Sequence, residues 1–165
     1  MKNIPTTLCA ALLTLSSTQA FSQEAKVEVT EESKAEVKFD REIVVTSNDQ
    51  MQFDKKALEA TVGETVKITL KNIGQAPKIA MGHNLVILKA GSNFMAFAGK
   101  AGVARENDYI PEDPESKAMI LAHTKLLGPG ETDALIFKAP APGNYEYLCS
   151  FPGHFALMRG VITVK

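Results

Sequence analysis

Apolar positions recur in short stretches along the chain, most with a period of two. The segments EIVVTS, TVKITLK, NLVIL, ALIFKA, NYEYLC and GVITVK are rich in β-branched and aromatic residues, with turn-forming residues between them. In TVKITL, Val66, Ile68 and Leu70 fall on one face while Lys67 and Thr69 fall on the other, as a strand with one face in a core requires. LGPGE and APAPGN supply breaks before two of the strands. Residues 90–123 interrupt this rhythm. FMAFAGKAGVA suits a helical turn, and IPEDPESKAMILAHT a loop leading into a further strand or turn. The pattern predicts an all-β fold, an antiparallel sandwich with one small helical flap. Neither an internal repeat nor a low-complexity tract is present.

The first twenty residues follow different rules. Lys2, the apolar run LCAALLTL and the small residues SSTQA make residues 1–20 an export signal, with Ala20 the last residue removed. The apolar run is too short to span a bilayer as a permanent helix. Residues 21–41 form a charged extension. Between Glu24 and Glu42 seven acids face four bases, which suits a solvated linker; alternation of Val27, Val29, Ala35, Val37 and Phe39 around TEES is compatible with a short hairpin. Residues 42–165 then form one folded domain. The formal net charge of −1 for all 165 residues gives no footprint for nucleic acid.

Processing removes Cys9 and leaves Cys149 alone. A lone thiol in an oxidising compartment is vulnerable unless burial or a metal restrains it. Cys149 ends the segment NYEYLC, and the loop CSFPGHFALM adds His154 and Met158 within ten residues. Pro152 and Gly153 force a tight turn that brings His154 back towards Cys149. Thiolate, imidazole and thioether together select copper over magnesium, calcium or manganese, and thioether is a poor ligand for zinc. One imidazole is still needed, from His83 or His123. His83 lies in MGHN at the head of a strong strand, beside Gly82, whose missing side chain leaves a backbone carbonyl free to approach a metal. Asn84 offers an amide to fasten one loop to another. His123, in MILAHT, has no second donor close in sequence and reads as a surface or strand histidine. His83, Cys149 and His154 with a weak axial Met158 form the ligand set of a blue-copper electron-transfer centre.

NDQMQF, MGHN, AHTKLLGPGE and CSFPGHFALMRG resemble, in the same order, stretches of the azurins, bacterial blue-copper proteins of the cupredoxin family. The resemblance runs from about Glu42 to Lys165. It implies a cupredoxin-like Greek-key β-sandwich of about eight strands that carries one type 1 copper in the periplasm. It further implies a weak fifth contact from the Gly82 carbonyl, and supporting hydrogen bonds from Asn84 and Ser150. An apolar docking face would include Met51, Met81, Phe151, Pro152, Gly153 and Ala156. Four departures stand out. The family's disulfide would fall near Arg41 and Glu64, neither a cysteine; a titratable histidine becomes Asn72; a buried tryptophan becomes Leu85; and a bulky Phe155 follows the loop histidine.

The expected function is one-electron transfer, without enzymatic turnover at this metal, since a catalytic copper would need histidines beyond His123. Implied partners are a c-type cytochrome as donor and a periplasmic reductase, oxidase or peroxidase as acceptor. The chain itself would be a monomer without stable membrane insertion. Copper delivery or sequestration is the alternative, though no exposed Met-rich or His-rich tract favours it.

Overall fold

The computed structural model describes residues 38–165; the expected export signal and the extension up to residue 37 lie outside the described residues. Two sheets face each other. One is built from β1 (Arg41–Asn48), β2 (Gln52–Phe53), β4 (Thr65–Asn72) and β7 (Thr132–Lys138), in the order β2-β1-β4-β7. The other is built from β3 (Ala57–Ala60), β5 (Val86–Leu88), β6 (Ile120–His123), β8 (Gly143–Leu148) and β9 (Arg159–Val164), in the order β3-β9-β8-β5-β6. The expected sandwich is therefore present. Its pairing is mixed rather than antiparallel, because β1 runs parallel to β4 and β3 parallel to β9. After β2 the chain leaves the first sheet, adds β3 to the second and returns as β4. Such a crossover frees the pair from the antiparallel direction that a hairpin imposes.

Alternation sets the core. Val66, Ile68 and Leu70 of β4 are fully buried, and they share the interior with Val45, Leu85, Ile87, Tyr145, Tyr147 and Ile162. The NLVIL run has a different cause. Leu85 and Ile87 enter this main core, whereas Val86 and Leu88 enter a second cluster with Phe94, Phe97, Ala98 and Leu148. Covered on both faces, β5 has no need of polar positions.

The second cluster lies beneath the flap, which holds α2 (Phe94–Ala101), a 3-10 turn at Arg105–Asn107 and α3 (Pro114–Met119). Asn93 and Asp113 cap the two helices by accepting from the Ala96 and Ser116 amides at 3.0 and 3.1 Å. Pro114 fits the first turn of α3, where a missing N–H costs nothing. Lys100 joins the helices by reaching Asp113 at 3.0 Å and Glu115 at 2.6 Å. A further short helix, α1 (Lys78–Met81), leads directly into Gly82 and His83.

The regular structure starts at Arg41, one residue before the expected domain start. Asp40 already accepts from the Thr65 amide at 2.7 Å, and its own amide donates to the Thr65 carbonyl at 2.8 Å. The departure expected at Arg41 and Glu64 has a structural counterpart. The Arg41 guanidinium forks onto the Glu64 carboxylate at 2.7 and 3.0 Å and also donates to the Glu59 carbonyl at 2.5 Å. An ion pair thus joins the positions where the resembled family would place its disulfide. Two parallel charge-assisted bonds make this stronger than a single surface contact, although salt screens it. Arg41→Ala is expected to lower the unfolding free energy by about 1 kcal/mol. Raising salt should narrow the gap between parent and variant, while thiol reductants leave both melting curves unchanged; chemical denaturation at low and high salt checks this.

Candidate metal centre

Three segments meet at one end of the sandwich. His83 follows Gly82 and forms a closed pair of backbone bonds with Leu127, donating to its carbonyl at 3.0 Å and accepting from its amide at 2.7 Å. This bridge, and not a strand, fixes His83; β5 starts three residues later. Cys149 directly follows β8, and its amide donates to the Met158 carbonyl at 2.9 Å. Between them Phe151–His154 forms a turn closed by a bond of 3.0 Å from the His154 amide to the Phe151 carbonyl. Pro152 and Gly153 occupy its centre, and Gly153 has φ +80°, a left-handed conformation that favours glycine. The Met158 amide donates to the His154 carbonyl at 2.8 Å, so a short 3-10 turn (His154–Ala156) hands the chain to β9.

These constraints gather the donors. Cys149 Sγ lies 3.6 Å from His154 Nδ1 and 4.0 Å from His83 Nδ1, and one donor atom from each residue lies within 4.8 Å of the others. A metal bonded at about 2.0–2.3 Å to each, at trigonal angles, would separate sulfur from nitrogen by about 3.7 Å. The pocket fits one ion. The Gly82 carbonyl oxygen stands 4.0 Å from the sulfur, and Met158 is fully buried beside Cys149 in the main core. Gly82 is needed for space rather than for its torsion. A Cβ there would lie 2.7 Å from the Lys78 carbonyl and 3.0 Å from Leu126.

Asn84 and Ser150 tie the two donor segments together. The Asn84 amide donates to Ser150 Oγ at 2.7 Å, and its oxygen accepts from the Ser150 backbone at 2.8 Å. Its second N–H reaches the Asp108 carbonyl at 3.2 Å. Sequence reasoning found Asn84 and, through resemblance, Ser150. It missed Asp108, Leu127 and Thr124, whose Oγ1 accepts from the Leu85 amide at 3.0 Å, because backbone partners carry no signature in residue type. His123 ends β6, is exposed, and is not part of the His83–Cys149–His154 group.

Burial decides the protonation of the pocket. It pushes the Cys149 thiol up to about 12, against the pull of the Asn84 and Phe151 amides. It pushes His154 down to about 4, with His83 adding to the effect. His83 is lowered too, mainly by burial, with the Asn48 carbonyl and Asp49 acting the other way. The Asn48 carbonyl stands near the ring, but His83 Nε2 is buried and meets no partner within hydrogen-bond geometry among the described residues. A metal on Nδ1 would leave the proton on Nε2 and point it outward, as an outer carbonyl partner favours. Without metal, the pocket at neutral pH holds a thiol and two neutral imidazoles. Metal binding must therefore release the thiol proton.

Of the expected docking residues, Pro152, Gly153 and Ala156 are exposed, and Met51 and Met81 are half-buried. Phe151 differs. It is 7% exposed, with ring centroids 4.6 Å from His154 and 4.9 Å from Tyr109, so it floors the pocket instead of lining a free surface. The departures at Asn72, Leu85 and Phe155 are accommodated. Asn72 is buried and accepts from the Gly74 amide at 2.9 Å. Leu85 fills the core, and Phe155 packs on Phe94 of α2 at 6.2 Å between centroids.

Two expected outcomes follow from this geometry. The folded state holds His154 at about 4 against an ordinary 6.5, so its contribution to stability is complete above 6.5 and is lost as pH falls through 4. Metal-free protein should melt at progressively lower temperature across that window, whereas copper on the imidazole suppresses the trend; thermal melts of both forms at several pH values check it. Gly82→Ala forces its Cβ against Lys78 and Leu126, and is expected to lower stability by about 1–3 kcal/mol and weaken metal retention. Denaturation of the metal-free variant, followed by copper titration, separates the two effects.

Residues 35–165 match the family described as "Copper binding proteins, plastocyanin/azurin family". Azurin-1 of Alcaligenes xylosoxydans xylosoxydans is 43% identical over 126 residues, covering 73% of this chain and 94% of that protein. Outer membrane protein H.8 of Neisseria gonorrhoeae is 43% identical over 123 residues, covering 73% of this chain and 65% of that protein. Among solved structures, reduced auracyanin from Roseiflexus castenholzii superposes with a TM-score of 0.67 at 38% identity, covering 75% of this chain and 96% of that one. These likenesses agree with the mostly-β sandwich and the compact His–Cys–His pocket for one copper ion. The chain belongs to the copper-binding plastocyanin/azurin family.

Proposed function

We propose that this chain is a periplasmic type 1 copper protein that shuttles single electrons between redox partners. The observation that carries the reading is the closed, buried donor set: His83, Cys149 and His154 converge with Met158 beside them. When bound there, copper supplies a Cu(I)/Cu(II) couple. The chain's own residues do the rest. His83 and His154 would present Nδ1, Cys149 its sulfur and Met158 its thioether to the metal, with the Gly82 carbonyl close to the sulfur. The Asn84–Ser150 clamp keeps these positions fixed, so little rearranges when the charge changes. Phe151 and Met158 keep water out. A cleft of about 620 Å³, lined by Glu106, Pro111, Lys117 and His123 among others, includes none of the donors.

In this reading residues 1–20 direct export, 21–41 form an extension and 42–165 form the copper domain. No helix among the described residues is long and apolar enough to cross a membrane. Partners dock over Met51, Met81, Pro152, Gly153 and Ala156, near the His154 edge. Ile79 of α1, two residues before Met81, is a further exposed apolar side chain that sequence reasoning missed. A c-type cytochrome as donor and a periplasmic reductase, oxidase or peroxidase as acceptor suit such a surface.

Adding one equivalent of Cu(II) to the protein should give an intense red-region absorption band and an unusually small copper hyperfine splitting in electron paramagnetic resonance. Cys149→Ser should abolish both. A pale, ordinary cupric spectrum would overturn the carrier reading and favour copper handling. Because Asn72 cannot titrate, the reduction potential is expected to stay flat between about pH 5 and 8, a window in which a histidine at that position would register. Protein-film voltammetry across that range checks this, with Asn72→His as the variant that restores a slope.

A further inference from the structure

We propose that the flap corner Asp108–Tyr109 is a positioning element of the metal centre, holding all three donor-bearing segments from one point; this rests on the copper reading of the same site. Both residues have left-handed backbones, with φ of 53° and 62°. Consecutive non-glycine residues in that region, one carrying a bulky ring, persist only where their surroundings determine them. Here three contacts do so. The Asp108 carbonyl accepts the second N–H of Asn84 at 3.2 Å, the donor that the Ser150 clamp leaves over. Without it a buried amide N–H beside the metal pocket would be orphaned. The Asp108 carboxylate accepts from the Leu126 amide at 3.4 Å, next to the Leu127 bridge that fixes His83. The Tyr109 ring meets Phe151 edge-on at 4.9 Å, and Phe151 in turn lies 4.6 Å from the His154 ring.

The flap is therefore more than a lid over the second hydrophobic cluster. Its corner contacts the Asn84 side chain, the segment bridged to His83 and the floor of His154. Tyr109 touches no donor itself; it acts through Phe151. Its hydroxyl makes no hydrogen bond among the described residues, so the ring carries the contact.

The test compares Tyr109→Leu, which removes the ring but keeps an apolar side chain, with Tyr109→Phe, which keeps the ring. In metal-free protein, hydrogen exchange at the Ser150 amide is expected to quicken roughly tenfold in Tyr109→Leu, with no change at the Ile68 amide on β4 and none at either position in Tyr109→Phe. With copper bound, Tyr109→Leu should release the metal faster and show altered hyperfine splitting, while Tyr109→Phe matches the parent. Equal behaviour of the two variants overturns the proposal, and so does exchange that quickens equally at Ser150 and Ile68, which marks general loosening. If Tyr109→Leu does not fold, Asp108→Ala removes the Leu126 contact and the same comparison of Ser150 with Ile68 decides. Should the parent fail to turn blue, the carrier reading falls, and metal-free exchange still decides whether the corner holds the pocket.

Discussion

Three electron-rich side chains must be kept within 4.8 Å of one another in a pocket that excludes water, and everything else at this end of the sandwich depends on that constraint. Left free, two neutral imidazoles and a thiol would turn towards solvent, where their polar atoms are satisfied. The chain prevents this through its backbone. The His83–Leu127 bridge, the Cys149–Met158 bond and the turn at Pro152–Gly153 each fix one donor segment, and the Asn84–Ser150 clamp joins two of them. The donors then have no freedom left except to face inward.

Such preorganisation carries a protonation consequence. A buried thiol pushed up to about 12 and an imidazole pushed down to about 4 mean that the pocket residues by themselves favour neutral forms. A cupric ion supplies the positive charge that the thiolate needs, so thiolate and metal stabilise each other's presence in a medium hostile to either alone. The same low polarity makes the pocket sensitive to small changes in the hydrogen bonds around the sulfur. Those bonds come from backbone amides and are therefore difficult to lose by substitution.

Period-two patterning made the long strands legible, because β4, β7, β8 and β9 each bury alternate residues. The donors were legible for a different reason: three of the four fall in one ten-residue loop, and only His83 had to be chosen over His123. What stayed hidden depended on tertiary pairing. Ala57–Ala60 reads as helix-forming residues and becomes β3 only because β9 lies beside it. The parallel pairings follow from crossovers that no local pattern encodes. Asp108 and Tyr109 sit in a segment without periodicity, and although Asp tolerates a left-handed backbone, nothing in the residue type of Tyr109 announces one. Phe151 was placed on a docking face by resemblance to the azurins; its packing between Tyr109 and His154 is visible only in three dimensions.

The position of β9 between β3 and β8 has a kinetic meaning. Leu58 of β3 pairs with Ile162, so β3 has no sheet neighbour until a strand about a hundred residues later in the chain has arrived. Closing so long a loop is entropically slow, and topologies dominated by distant pairings fold in milliseconds to seconds. Cys149, His154 and Met158 immediately precede that same strand. The donor set therefore comes together at about the same step that closes the second sheet. An ion that reached the chain earlier would meet His83 apart from the loop that carries Cys149, His154 and Met158, so the full donor set awaits the docking of the last strand.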